Sequence, residues 1–201
     1  MKRTILISFP EKNLQKLTHL EAVNSSLYDL VELARKIDIE VLGKPNSLFA
    51  ATHLSEIMPI HNLSGVRDLT QIMQMQEKIA KGEEILEKDG LPNIKLVVAP
   101  NRKLLIFDGT HTLIAYLLQG KKLLSEVPYL VISAEEFAPV SSEEISIFFP
   151  EDSREMVKRD WSSYVVNWQA KLGLQTEKRE FISMGALALE FGKRYKGAVE
   201  H

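Results

Sequence analysis

The sequence predicts a mixed α/β domain carrying a helical C-terminal addition, and three observations carry that expectation. Two apolar runs separated by a short polar loop, Ile94–Val98 and Leu104–Phe107, read as paired strands. The second run passes through Asp108-Gly109 directly into a segment with helical character. The last part of the chain, 154–201, repeats its large apolar residues at helical rather than strand spacing.

Taken in order, residues 4–9 read as a short strand stopped by Pro10. Ser26, with Asp29 three residues on, predicts a helix N-terminus followed by Leu27, Leu30, Val31 and Ala34 on one face. Gly43-Lys44-Pro45-Asn46 is a turn, so residues 1–50 form an N-terminal extension of strand plus helix. His53 to Ile60 reads as extended and broken by Pro59. Asp68 is placed to cap a helix running to about Lys81, with Leu69, Ile72, Met73, Gln76 and Ile79 near helical spacing. The pair Met73/Met75 reads as core filler.

After the Gly90–Asn93 turn come the two strands already named, joined by the loop Pro100–Lys103. The uninterrupted apolar character of Leu104–Phe107 predicts burial on both faces. A helix is expected from about Thr112 to Gln119, with Gly120 at its C′ position, and a third strand over Val127–Ile132. The core unit thus spans 51–133. Residues 134–153 hold six acidic and no basic residues and read as an acidic connector. Two helices are expected in 154–201, the first with Met156, Trp161, Tyr164, Val165 and Trp168, the second with Phe181, Met184, Leu187, Ala188, Phe191 and Tyr195.

Composition excludes several functions. The chain has 201 residues, 45% of them hydrophobic, enough for a full core. There are no cysteines, which removes thiolate catalysis, thiolate metal sites and disulfides together. A net charge of −2 leaves no global basic field for nucleic acid. The five histidines show no paired ligand spacing, and no G-x-S-x-G, Walker A or G-x-G-x-x-G pattern occurs. No apolar run is long enough to span a bilayer, so a cytoplasmic protein without membrane contact is expected.

Chemistry concentrates in Asp108-Gly109-Thr110-His111-Thr112. A strand turning through glycine into a helix aims unpaired backbone N–H groups and the positive end of the helix dipole at one place, where phosphates bind readily. Gly109 would permit close backbone approach or positive φ. Thr110 and Thr112 offer hydroxyls, His111 could bond a phosphate oxygen or shuttle a proton, and Asp108 could hold magnesium or orient a substrate hydroxyl. The same residues also suit a plain turn, in which Thr110 or Thr112 merely caps the helix.

The order helix, turn, strand, loop, strand, D-G-x-H-x, helix, glycine, strand resembles the ParB/sulfiredoxin superfamily, over about residues 54–132. Leu54–Pro59 is similar to that family's first strand with its proline, and Arg67 stands where the family often carries an arginine before the next helix. The resemblance implies a nucleotide (ATP, ADP or CTP) with Mg, or another phosphate-bearing molecule, bound by Gly109, Thr110, His111, Thr112 and Arg67. It also implies Asp108 at a metal or hydroxyl, and nucleotide hydrolysis or phosphoryl transfer through Asp108 and His111. Two departures bear on this. Thr112 replaces the family's usual arginine, and Thr110 replaces the cysteine of sulfiredoxins, which excludes sulfiredoxin activity. The free-serine-kinase branch is similar in size, but Pro59-Ile60-His61-Asn62 lacks its glutamate; His61 could act as a base.

The alternative is a non-catalytic DNA-associated or protein-interaction module that keeps the fold without the pocket. Segment 154–201 carries nine basic and six acidic residues, with Lys193-Arg194-Tyr195-Lys196 near its end, yet lacks a clear recognition helix. DNA is therefore not the favoured partner. Apolar C-terminal helices, including a Trp161/Trp168 face, would instead suit a homo-oligomer or another protein partner.

Overall fold

The computed structural model describes residues 3–8, 10, 39–43, 49–59, 61–88, 92–99, 101–133, 164–165 and 177–196. The helix expected at 26–34, the connector 134–153 and both tryptophans lie outside the described residues.

The architecture is mixed α/β. Eight strands are described: β1 (Arg3–Ser8), β2 (Ile39–Gly43), β3 (Met58–Pro59), β4 (Ile94–Val98), β5 (Leu104–Asp108), β6 (Tyr129–Ser133), β7 (Tyr164–Val165) and β8 (Glu177–Lys178). Three α-helices accompany them: α1 (Leu69–Ala80), α2 (Thr110–Leu118) and α3 (Met184–Lys196). The first six strands form one mixed sheet in the order β2-β1-β6-β4-β5-β3. β4 lies antiparallel to β5 and parallel to β6, while β1 joins β6 antiparallel. The amino-terminal strand is thus hydrogen-bonded into the same sheet as the segment 51–133.

β4, including Lys95, and most of β5 are buried throughout, as strands covered on both faces must be. The core combines Ile94, Leu96 and Val98 of β4 with Leu104 and Ile106 of β5, Leu113–Tyr116 of α2, and Met184, Leu187 and Phe191 of α3. Helix α2 packs between α1 and α3. Residues 110–118 and 184–196 are therefore held by apolar burial, the dominant favourable contribution to folding. Helix α3 comes close to Ser55: a Cβ on Gly185 would stand 2.7 Å from the Ser55 Cβ.

Several local expectations need correction. The extended segment is only the two-residue strand β3, which Pro59 ends; β3 sits at the sheet edge, where the missing proline N–H costs no ladder bond. The residues before it, Leu54–Glu56, form a 3-10 turn. Helix α2 begins at Thr110, not Thr112, because Gly109 takes a left-handed conformation (φ 83°, ψ 22°) that turns the chain into the helix at once. Met73 is 41% exposed and is not core; Met75, two residues on, is half-buried. Strand β2 was not anticipated, and Tyr164–Val165 pairs antiparallel with Glu177–Lys178 where a helix was expected. Tyr and Val suit an extended, paired strand better than a helix.

Other elements follow their local signals. Asp68 Oδ1 accepts a hydrogen bond from Gln71 N (2.8 Å), and α1 starts there. Gly120, at φ 81°, follows the end of α2 at the C′ position. Among the described residues, no helix is long and apolar enough to cross a membrane.

Candidate functional site

The end of β5, the start of α2, the loop before α1 and the first turns of α1 enclose a cavity of about 460 Å³. It is lined by His61, Gly65, Arg67, Asp68, Gln71, Met75 and Asn93, and by every residue from Phe107 to Thr112. All six residues singled out in the sequence, Arg67, Asp108, Gly109, Thr110, His111 and Thr112, therefore face one space.

The floor is the helix start. Gly109 is the N-cap of α2 and offers no side-chain acceptor, so the first-turn N–H groups of Thr110, His111 and Thr112 receive no capping bond from it. These donors and the positive end of the dipole lie against the cavity. Thr110 is 4% exposed, and its Oγ1 has no hydrogen-bond partner; the buried His111 Nε2 also lacks one. A buried polar atom without a partner costs about 1–3 kcal/mol, and both of these atoms belong to residues that line the cavity.

Thr112 and Asp108 are engaged otherwise. The Thr112 hydroxyl donates to Asn93 Oδ1 and lies 3.4 Å from Met75 Sδ. Asp108 accepts from Gly109 N through Oδ1 (2.8 Å) and from the Lys95 ammonium through Oδ2 (2.6 Å). Lys95 also reaches Glu87 Oε1 (3.3 Å), and Asn93 Nδ2 donates to the same oxygen (2.7 Å). A continuous polar chain thus runs from Thr112 through Asn93, Glu87 and Lys95 to Asp108 and back to the helix start. Burial alone would lower the pKa of Lys95, but Asp108 and Glu87 outweigh it and raise the value above 10.5. The lysine is an ammonium at any physiological pH.

The metal expectation meets two facts. Among the described residues no group of three His, Asp or Glu side chains could hold an ion, and the Asp108 carboxylate already faces an ammonium. Any magnesium here would have to draw most of its ligands from water or from a ligand's phosphates. Arg67 donates from Nε to Ser64 O (3.0 Å), which fixes its exposed side chain along the cavity wall.

Burial lowers the pKa of His111 below 6.5, against the raising effect of Asp68 and Asp108. The imidazole is neutral at pH 7. The unfolded chain then binds more protons than the folded one just below pH 6.5, so stability should fall as pH drops through that window. Urea unfolding between pH 7.5 and 5 checks this; a His111→Gln variant should show a shallower fall, and an unchanged slope would contradict it.

Lys95, Asn93, Glu87, Gln71 and Met75 were not anticipated. Only Lys95 carried a sequence signal: one charge inside the apolar run Ile94-Lys95-Leu96-Val97-Val98. No family model, curated protein or solved structure matches the chain.

Proposed function

We propose that this protein binds a phosphate-bearing small molecule, a nucleotide in the first instance, at the start of α2. The observation that carries the reading is the unpartnered Thr110 Oγ1, buried in the wall of a cavity beside uncapped helix N–H groups. A phosphate oxygen supplies the acceptors that these donors lack. His111 Nε2 and Arg67 are the side chains placed to add contacts. Where the ligand brings magnesium, Asp108 and Asp68 are the acidic lining residues able to face it.

Phosphoryl transfer or nucleotide hydrolysis is the reaction class such a site serves, since positioning and electrostatics supply most of that catalysis. His111, held neutral by burial, is the group able to take a proton there. A ParB/sulfiredoxin-like fold and a cytoplasmic setting accord with this reading. A non-catalytic interaction module is the second reading, favoured by Ile182 (81% exposed) and Leu189 (63% exposed) at the C-terminal helix.

Thermal unfolding with inorganic phosphate, ATP, ADP and CTP, each with and without magnesium, tests the first reading. A ligand at 100 times its Kd adds about 2.7 kcal/mol of stability. Thr110→Val should leave the unliganded protein as stable as the wild type or more so, because an unsatisfied buried hydroxyl is replaced by a methyl. The same variant should bind about fivefold more weakly, the loss of one neutral hydrogen bond. No shift with any of these ligands would overturn the proposal.

A further inference from the structure

We propose that Lys95 is a positioning residue that makes this cavity admit an anion, by cancelling the charge of Asp108 from behind the wall. The inference rests on the phosphate reading above and adds to it the residue that sets the charge of the pocket.

The cavity lining alone is poorly suited to a phosphate. Its Arg, Lys, Asp and Glu residues are one cation, Arg67, and two carboxylates, Asp68 and Asp108; two imidazoles, His61 and His111, complete the titratable lining, and His111 is uncharged at pH 7. Asp108 adjoins Gly109, so its negative charge would sit beside the same helix start that is to receive the anion. Lys95 removes that conflict. It stands directly opposite Asp108 across the β4–β5 ladder, at a bulge, and its Nζ is 2.6 Å from Oδ2. A close pair of opposite charges presents a dipole, whose field falls away faster than that of a lone carboxylate. The second carboxylate, Glu87, lies farther from Nζ (3.3 Å), is held by Asn93 and is not part of the lining.

The placement is costly, which argues that it serves a purpose. Lys95 is 1% exposed among Ile94, Leu96 and Val97, and a well-packed apolar side chain in place of a buried ion pair is often neutral or stabilising. Its strand position instead delivers a fixed positive charge to one oxygen of Asp108, while Gly109 N–H fixes the other. The resulting rigid carboxylate is oriented and neutralised together.

Calorimetric titration with inorganic phosphate, without divalent cations and at low ionic strength, tests this on the full chain. Asp108→Asn keeps the acceptor for Gly109 N–H and leaves Lys95 with Glu87. It should bind phosphate about tenfold more tightly, although it is no more stable than the wild type. Lys95→Met should bind about tenfold more weakly, Lys95→Arg close to the wild type, and Lys95→Met with Asp108→Asn should return to within about threefold of it. Should Lys95→Met fail to fold, the sign of the Asp108→Asn effect decides alone. A purely structural lysine would make affinity follow stability through the series. Weaker binding by Asp108→Asn, with the wild type binding phosphate, overturns this inference and leaves the phosphate reading standing. No binding by the wild type overturns both.

Discussion

Gly109→Ala is expected to destabilise the protein by at least about 3 kcal/mol and to abolish phosphate binding. The left-handed conformation at φ 83° costs a residue with a Cβ about 1–2 kcal/mol by itself. The added carbon would also stand 2.4 Å from the carbonyl oxygen of Asn93 and 2.9 Å from Ile94 Cα. Both neighbours are backbone, so the strand entry has to move as a unit. Asn93 carries the side chain that holds Thr112 and Glu87, so the displacement would spread through the polar chain behind the cavity. Urea unfolding measures the first effect and calorimetry the second. An alanine variant within about 1 kcal/mol of the wild type, with phosphate affinity intact, would contradict the geometry assigned to the helix start.

The second large effect is expected from Glu87→Gln combined with Asp108→Asn, which leaves an ammonium 1% exposed with no carboxylate partner. Breaking a buried pair in this way costs about 3–5 kcal/mol. The pH dependence carries the diagnostic sign. In the wild type burial works to lower the pKa of Lys95, but the two carboxylates raise it above 10.5, so their stabilisation is complete below 10.5 and is lost as pH rises through the folded value. In the double variant burial acts unopposed and the folded pKa falls below the unfolded one. Its deficit is then largest near neutral pH and shrinks as pH rises. The gap between the two stability profiles should narrow as pH rises toward and through 10.5. A constant offset across that rise would show that the lysine charge is not what the carboxylates compensate.

Much of this arrangement was legible in the sequence because it is local. A buried strand, Asp108-Gly109 and a helix are consecutive, so the cluster of donors follows from chain order alone. The Asp68 cap and α1 were legible for the same reason, and so was the glycine after α2. What was not legible is what long-range pairing decides. Strand β2 is placed by its partner β1, more than thirty residues away in sequence, and Pro59 is tolerated only because β3 falls at the sheet edge. The role of Lys95 depends on the register that sets it opposite Asp108, and no spacing along the chain announces a cross-strand ion pair. Asn93 and Glu87 enter through the polar chain that this register creates. Thr112 reads in sequence as a helix-start donor; in the fold its hydroxyl is committed to Asn93, which leaves Thr110 as the open hydroxyl.

The most direct test of the account is a nitrogen-15 NMR titration of the full chain with inorganic phosphate and then with magnesium ADP, followed at the backbone amides. Saturable binding with its largest shifts at the Thr110, His111 and Thr112 amides is the expected result. Saturable shifts confined to other elements, or none with either ligand, would contradict a phosphate site at the start of α2.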